Sequence, residues 1–554
     1  MKEHGKDAYD AIIKEFKQLF KEKKALIPVN RSDLSARQMK QIIRSSMFLK
    51  TKFDAKGTFE KIKARLVADG SKQDRALYPD NSSPTVAMQS LLMTLLIAAK
   101  EGRKAMKIDI GGAYLNAEMT GEEVIMEVDK MLTSMVQRYL PETEPYVENG
   151  KLLVRLDKAL YGCVQSAKLW HEKLTGVLKN IGFVPNPVDQ CIMNKTVNGK
   201  QCTLAIFVDD ILALSVDTDT LEWLLAELKK EFDDVKADIG NDLSYLGMHI
   251  QLTNGKATVS MTQFLKELLD DYGHVREFNT PATSRLFNAK AAEELDEAEK
   301  KKFHTVVAKL LYLSKRTRAD ILTAVAYLCT RVRYPTKEDK KKLDRVMGYL
   351  SATRDRKLVL TCEKDIRVIA HIDAAFGTHS DGKSHSGAAF FIGDACVLAM
   401  SKKQKIVTKD STEAELVALS DLITTVEQCD EFMREQGMKN MKIPIILQDN
   451  MSTISLVTKG GGKPRTKHLR VRQHLIRDKV SGKEISILYT PTTRMLADTM
   501  TKPVQGEQFR WMMGRIMGDN PRPHGPHAMV DRGALSGTTD SCERVRLKEK
   551  TKSK

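Results

Sequence analysis

Paired cysteines, a membrane-length apolar run and an apolar leader are all missing from this 554-residue chain. Its eight cysteines (Cys163, Cys191, Cys202, Cys329, Cys362, Cys396, Cys429 and Cys542) show no CxxC spacing. That argues against a zinc ribbon and against a disulfide framework, and fits reduced intracellular thiols. The longest apolar stretch, residues 85–99, is interrupted by Gln89, Ser90 and Thr94. It falls short of the roughly 20 residues a spanning helix needs, so no membrane partner is expected. The first ten residues, MKEHGKDAYD, are polar and do not read as a signal peptide. The expectation is a chain that is not secreted and works in the cytoplasm or the nucleus.

What is present is a large, charged, core-forming chain. Hydrophobic residues make up 42% and charged residues 29%, which excludes collagen and global disorder. The length suggests about three to four domains. Lys and Arg number 89 against 72 Asp and Glu, a balance of +17. Such an excess points to a polyanionic partner, with nucleic acid first among them.

Periodicity places an amphipathic helix over residues 9–27, a strand over 59–70 and a helix over 85–102. A short strand at 105–110, a helix at 159–181 and a hairpin at 203–216 follow, then a helix at 218–232 and one strand over 243–252. Residues 280–302 are charged and apolar-poor, a linker by composition, before helices at 303–352. Strands at 367–372, 387–400 and 442–447 alternate with helices at 411–429 and 450–458. The last twelve residues, ERVRLKEKTKSK, read as a solvated basic tail.

Two constellations of acids stand out. In TLAIFVDDILALSV, Asp209 and Asp210 sit side by side between apolar strands, and Asp109 ends another short apolar strand. Like charges so placed are unfavourable alone and natural around a hard divalent cation. A surface turn beside a capping aspartate is the simpler alternative. If the strands are neighbours, three acids converge as a two-metal site for phosphoryl transfer would require.

Five ordered segments, KIKARLVADGSKQ, KIDIGGAYLNAEM, KALYGCVQSAKLWHEKL, FVDD and YLGMHI, resemble the reverse transcriptase of copia-type LTR retrotransposons. The resemblance implies that Asp109, Asp209 and Asp210 bind two metal ions, Mg²⁺ or Mn²⁺, helped by the Ile110 carbonyl. It implies that Tyr114 is a steric gate against ribose and that Lys63 and Arg65 grip the incoming triphosphate. Gln165 would pack beside the templating pair, and YLGMHI would be the primer-grip strand. Where that family has Pro and Arg after its Gln-small pair, Ala167 and Lys168 stand here.

The second constellation is Asp373 in HIDAAFG, Glu415 in STEAELVAL, Asp449 in QDN and Asp498 in LADTMTKP. Acids in this order, on strand, helix, strand end and helix, resemble a ribonuclease H domain, which implies a second pair of Mg²⁺ ions and hydrolysis of hybrid RNA. Glu413 reads instead as a first-turn helix acid. The loop TPTTRMLAD before Asp498 lacks a histidine. Lys309, Lys315, Arg316 and Arg318, in the region that resembles the copia-type connection, are open to lining a duplex path or to being a solvated helix face.

The expected fold class is therefore α+β and multidomain: a right-hand polymerase (fingers, palm, thumb) followed by an α/β ribonuclease H-like domain. The expected division is 1–250 fingers and palm, 251–362 thumb and connection, 363–509 ribonuclease H-like, and 510–554 basic tail. The implied function is RNA-directed DNA polymerase with ribonuclease H activity. Its partners would be an RNA template, a DNA primer, the RNA–DNA hybrid and deoxynucleoside triphosphates, with a homodimer or other retrotransposon polyprotein products as associates. The implied setting is a cytoplasmic virus-like particle or the nucleus. The alternatives are an inactive or domesticated remnant that binds nucleic acid without catalysis, and a nuclease whose first half is a hybrid clamp.

Overall fold

The computed structural model describes residues 5–53, 59–253, 255–289, 292–361, 366–458 and 467–519. It is mixed α and β, and it forms two compact units. One comprises the chain up to Ala87 and Arg103–Gly240; the other comprises Met88–Gly102 and the chain from Asn241 onward.

The first unit contains two six-stranded sheets. In one, the long hairpin Ile43–Phe53 and Phe59–Ala68 extends from a sheet completed by Ile125–Val128, Lys151–Leu156, Leu26–Pro28 and Val147–Glu148. The helix Gly5–Lys17 packs Ile12 and Phe16 into its core, as the apolar spacing predicts. That helix is shorter than 9–27. A five-residue π-turn, Gln18–Glu22, buries Leu19, and Leu26–Pro28 is already a strand. The second sheet runs Val235–Ile239, Lys104–Ile110, Asp210–Ser215, Lys200–Phe207, Ile192–Val197 and Val184–Pro185. Its central strands are buried on both faces, hence their unbroken apolar runs. The helix expected over 159–181 begins only at Ser166, because Gly162 adopts φ +95° and turns the chain.

In the second unit, Asp242–Tyr245 and Met248–Thr253 are two strands, not one. Leu246 and Gly247 both take positive φ and close a tight hairpin. A leucine in place of the usual Asn or Asp hides that turn from a sequence reading. Lys256–Ser260 and Leu358–Thr361 complete this four-stranded sheet. The stretch expected as one strand over 387–400 is likewise a hairpin, His385–Ile392 with Ala395–Lys403, turned at Gly393. These two strands, Val368–Ala375, Ile445–Gln448 and Ser486–Tyr489 form a five-stranded sheet. Pairing is antiparallel up to Val368–Ala375 and parallel beyond it. The 25-residue helix Ser411–Glu435 buries Leu416, Leu419, Ile423 and Val426.

Residues 510–517, expected as the start of a tail, are helical. Gly506–Met517 is a helix with Phe509, Met512, Met513 and Ile516 buried, so its apolar spacing wins over the basic composition around it. The basic segment ERVRLKEKTKSK lies outside the described residues. Among those described, no helix is long and apolar enough to cross a membrane.

Gly387 admits the short helix Asp498–Thr501 to the sheet. A Cβ at that position would lie 2.6 Å from Thr501 Cγ2 and 2.7 Å from Met500 Cβ. Gly387→Ala is expected to destabilise the chain by about 1–3 kcal/mol through overpacking, read as a lower urea midpoint at unchanged m-value.

Candidate active sites

Both acidic constellations lie at strand ends. In the first unit, Asp210 pairs across the ladder with Asp109, and Phe207 with Asp210 closes the hairpin around Val208 and Asp209. Strand pairing thus brings together two carboxylates that lie a hundred residues apart in the chain. Val208 sits at φ +57°, a costly conformation for a β-branched residue. The buried Trp170 indole holds it there, donating to the Val208 carbonyl at 2.7 Å. Burial, and then the neighbouring Asp210 and Asp109 charges, push the Asp209 carboxyl above its ordinary range, against the pull of Arg65. Lys107, on the strand beside Asp210, lies 3.6 Å from its carboxylate.

Tyr114 is half-buried on a short 3₁₀ turn, Ala113–Asn116, entered through Gly112 at φ +61°. Burial and the Asp209 charge raise its phenol. A second ring, Tyr161, lies against it at 4.5 Å with the planes tilted by 55°, and the Arg65 guanidinium lies 4.6 Å from the Tyr161 centroid. Lys63 and Arg65 both project from the exposed face of the Phe59–Ala68 strand, and both their charges reach the buried Glu15. Gln165 is buried, accepts from Gln73 at 3.1 Å and contacts Met119 Sδ. These contacts tie the loop ahead of the Ser166–Asn180 helix to Gln73 and Met119.

The second constellation is tighter. Asp373, Glu415 and Asp449 place carboxylate oxygens within 4.8 Å of one another. Among the described residues no other trio of such groups meets that spacing, so Asp109, Asp209 and Asp210 are more open. Asp373 lies on the central strand, 1% exposed, and Glu415 on the Ser411–Glu435 helix, 4% exposed. Asp410 caps that helix, accepting from Glu413 N at 2.9 Å, while Glu413 reaches back to Lys409 N. Glu413 is therefore a capping acid, as its position predicts, and Glu415 the inward one.

Burial, then Asp373, pushes the Glu415 carboxyl well up. Gln448 steadies it, donating from Nε2 at 3.2 Å, while the Gln448 carbonyl oxygen accepts from Asp449 N and Asn450 N. Thr492 donates to Asp449 at 2.8 Å. Asp498 joins the group through Lys502, which donates to it at 2.8 Å and lies 3.5 Å from Asp373. Burial and Asp373 raise Asp498 to about 7. Thr501 donates to Asp373.

Sequence reasoning missed Tyr161, Lys107, Gln448, Thr501 and Lys502. Tyr161 and Gln448 lie within motifs already singled out, one residue before Gly162 and one before Asp449, and proximity to those motifs was the available signal. Lys502 lies four residues after Asp498, the helical spacing of an ion pair.

The donor chemistry fits a hard divalent cation: oxygen ligands only, partly buried, with carboxyl protons held by mutual repulsion. A cation there would draw Glu415 and Asp498 back to the carboxylate form.

Comparison with known proteins bears on what these sites belong to. Residues 34–284 match the family described as reverse transcriptase (RNA-dependent DNA polymerase). The matched segment contains Asp109, Asp209 and Asp210. The chain is also similar to Pol polyproteins of retrotransposons. It is 27% identical over 472 residues to the retrovirus-related Pol polyprotein from transposon RE1 of Arabidopsis thaliana, covering 84% of this chain and 31% of that one. The Ty1-GR2 Gag-Pol polyprotein of Saccharomyces cerevisiae is 27% identical over 500 residues, covering 86% and 27%. The Pol polyprotein from transposon TNT 1-94 of Nicotiana tabacum is 27% identical over 482 residues, covering 85% and 35%. The chain spans about a third of the length of these relatives. A foamy virus protease-reverse transcriptase structure aligns over 91% of this chain and 56% of its own, at 13% identity and a TM-score of 0.27, a loose likeness.

The raised Asp498 and Glu415 have a thermal consequence. A carboxyl raised in the folded state binds protons that the unfolded state has already lost, so stability falls as pH rises from about 4 towards 7 and levels off above. Asp498→Asn should therefore raise the melting temperature at pH 8 more than at pH 5. Mg²⁺ should raise it for the wild type at pH 8 and raise it less for the variant.

Proposed function

We propose that the chain is an RNA-directed DNA polymerase joined to a ribonuclease that cuts the RNA strand of the hybrid product. The observation that carries the reading is the pairing of Asp109 with Asp210 next to the raised Asp209. In this reading residues 1–250 are fingers and palm, 251–362 thumb and connection, and 363–509 a ribonuclease H-like domain. The substrates are an RNA template, a DNA primer, deoxynucleoside triphosphates and the RNA–DNA hybrid. Association is with a second copy or with other polyprotein products, in a cytoplasmic particle or the nucleus.

Asp109, Asp209 and Asp210 would hold Mg²⁺ in one site, and Asp373, Glu415, Asp449 and Asp498 in the other. The bound ions would lower the charge on the attacked phosphate and activate a primer 3′-hydroxyl or a water. The protein's own groups do the rest. Lys63 and Arg65 neutralise the triphosphate as pyrophosphate leaves. Tyr114, backed by Tyr161, leaves no room for a ribose 2′-hydroxyl. Gln448 orients Glu415, and Thr501 and Thr492 hold Asp373 and Asp449, so that the second carboxylate set is preorganised before substrate arrives. Lys502 balances the charge between Asp373 and Asp498.

Primer extension on an end-labelled RNA template with Mg²⁺ tests the reading. Wild type should extend the primer and shorten the RNA. Asp209→Asn should lose extension by at least about 100-fold, about 2.7 kcal/mol of transition-state stabilisation, and keep RNA cleavage. Asp373→Asn should do the reverse. A folded wild type that binds the hybrid and does neither would leave the non-catalytic remnant as the better account.

A further inference from the structure

Apart from both acidic sites, a cleft of about 260 Å³ lies in the second unit between the Lys337–Ala352 helix and residues 278–288. Phe278, Pro281, Ala282 and Leu286 give it apolar walls, and Arg285, Lys342 and Arg345 line it with cations. The segment lies directly on the helix because of Gly348. A Cβ there would sit 1.9 Å from the Arg276 carbonyl oxygen and 2.8 Å from the Phe278 ring. Gln505 ties the wall from outside, donating to the Ala282 carbonyl at 2.9 Å.

Lys342 and Arg345 make no ion pair, although Glu338, which also lines the cleft, and Asp339 act on the Lys342 charge. Lys342 donates only to neutral acceptors, the Asn288 carbonyl at 2.8 Å and the Tyr327 hydroxyl at 2.9 Å. Arg345 donates to Thr280 Oγ1 at 2.9 Å, lies 4.5 Å from the Phe278 centroid, and leaves its buried Nε without a partner. The acids nearby are engaged elsewhere: Asp339 with Arg331, Asp344 with Lys340 and Tyr272, and Glu338 with Lys341. Among the described residues no carboxylate pairs with Arg285, Lys342 or Arg345. Burial accordingly lowers both Lys342 and Arg345 from their ordinary values. Half-buried cations facing a cleft, with neutral dipoles behind them and an unused guanidinium N–H, favour an incoming anion. The apolar walls suit a sugar or base attached to it.

We infer that this cleft is a phosphate-binding site, taking a phosphate ester whose source is either a strand of bound nucleic acid or a free nucleotide. Its size is that of about one nucleotide, at the lower end of ligand pockets. The inference does not depend on catalysis at either acidic site, so an inactive chain could still bind there.

The test is fluorescence anisotropy of a labelled RNA–DNA hybrid with the full chain, in chelator, across a potassium chloride series. Equilibrium dialysis of deoxyadenosine triphosphate is run beside it. Lys342→Gln/Arg345→Gln should reduce the slope of log affinity against log salt by about one, the release of one phosphate contact. Arg285→Ala, an exposed position, should weaken binding in the same direction and decides the matter if the double variant does not fold. Lys439→Gln, an exposed cation away from the cleft, should leave the slope unchanged. A reduced slope with the hybrid assigns the strand as source. An unchanged slope with lost triphosphate binding assigns the free nucleotide. Folded variants that alter neither, or a control that alters the slope equally, overturn the inference.

Discussion

Repulsion between neighbouring carboxylates is the constraint around which both units are built. Asp109, Asp209 and Asp210 in one, and Asp373, Glu415 and Asp449 in the other, are placed where their charges oppose one another. No local preference would bring them there. Rigid apolar sheets do, because strand pairing and core burial stabilise the scaffold far more than a few like-charge contacts destabilise it. Burial first, and that opposition after it, raises the Asp209, Glu415 and Asp498 carboxyls.

The two sites meet this constraint differently. The first is an open hairpin tip, with a strained Val208 pinned by the Trp170 indole and a Lys107 charge to one side. The second is enclosed. Its acids are wired to Gln448, Thr492, Thr501 and Lys502, and nearly every contact is satisfied within the protein. Under the proposed function, openness suits the admission of a primer end and a triphosphate together, and enclosure the placing of a single phosphodiester against fixed oxygens.

The aromatic pair in the first unit shows how one residue can serve several elements. Tyr161 packs against Tyr114 and carries Arg65 over its ring, and its carbonyl accepts from Ala68 N at 2.8 Å. Gly162, at φ +95°, lets the loop approach that strand; a Cβ there would lie 2.0 Å from the Ala68 carbonyl oxygen. Tyr114, Arg65 and the strand behind them are therefore fixed by one close backbone contact.

The sequence by itself determined the apolar strands, the acids at their ends and the order of the motifs, since these depend on periodicity and residue type. The hairpin around Asp209 and Asp210, the helix carrying Glu415 and the capping role of Glu413 were all legible in this way. Tertiary structure alone decided what faces what. The Leu246–Gly247 turn lacks the usual turn residues, and the helix through Phe509 is masked by basic neighbours. Lys502, Gln448 and Tyr161 acquire roles only because distant strands and helices converge on them. The cationic cleft beside Gly348 is assembled from segments some sixty residues apart, where the lack of an ion pair to Lys342 and Arg345 is a property of the surroundings and not of any residue in the chain.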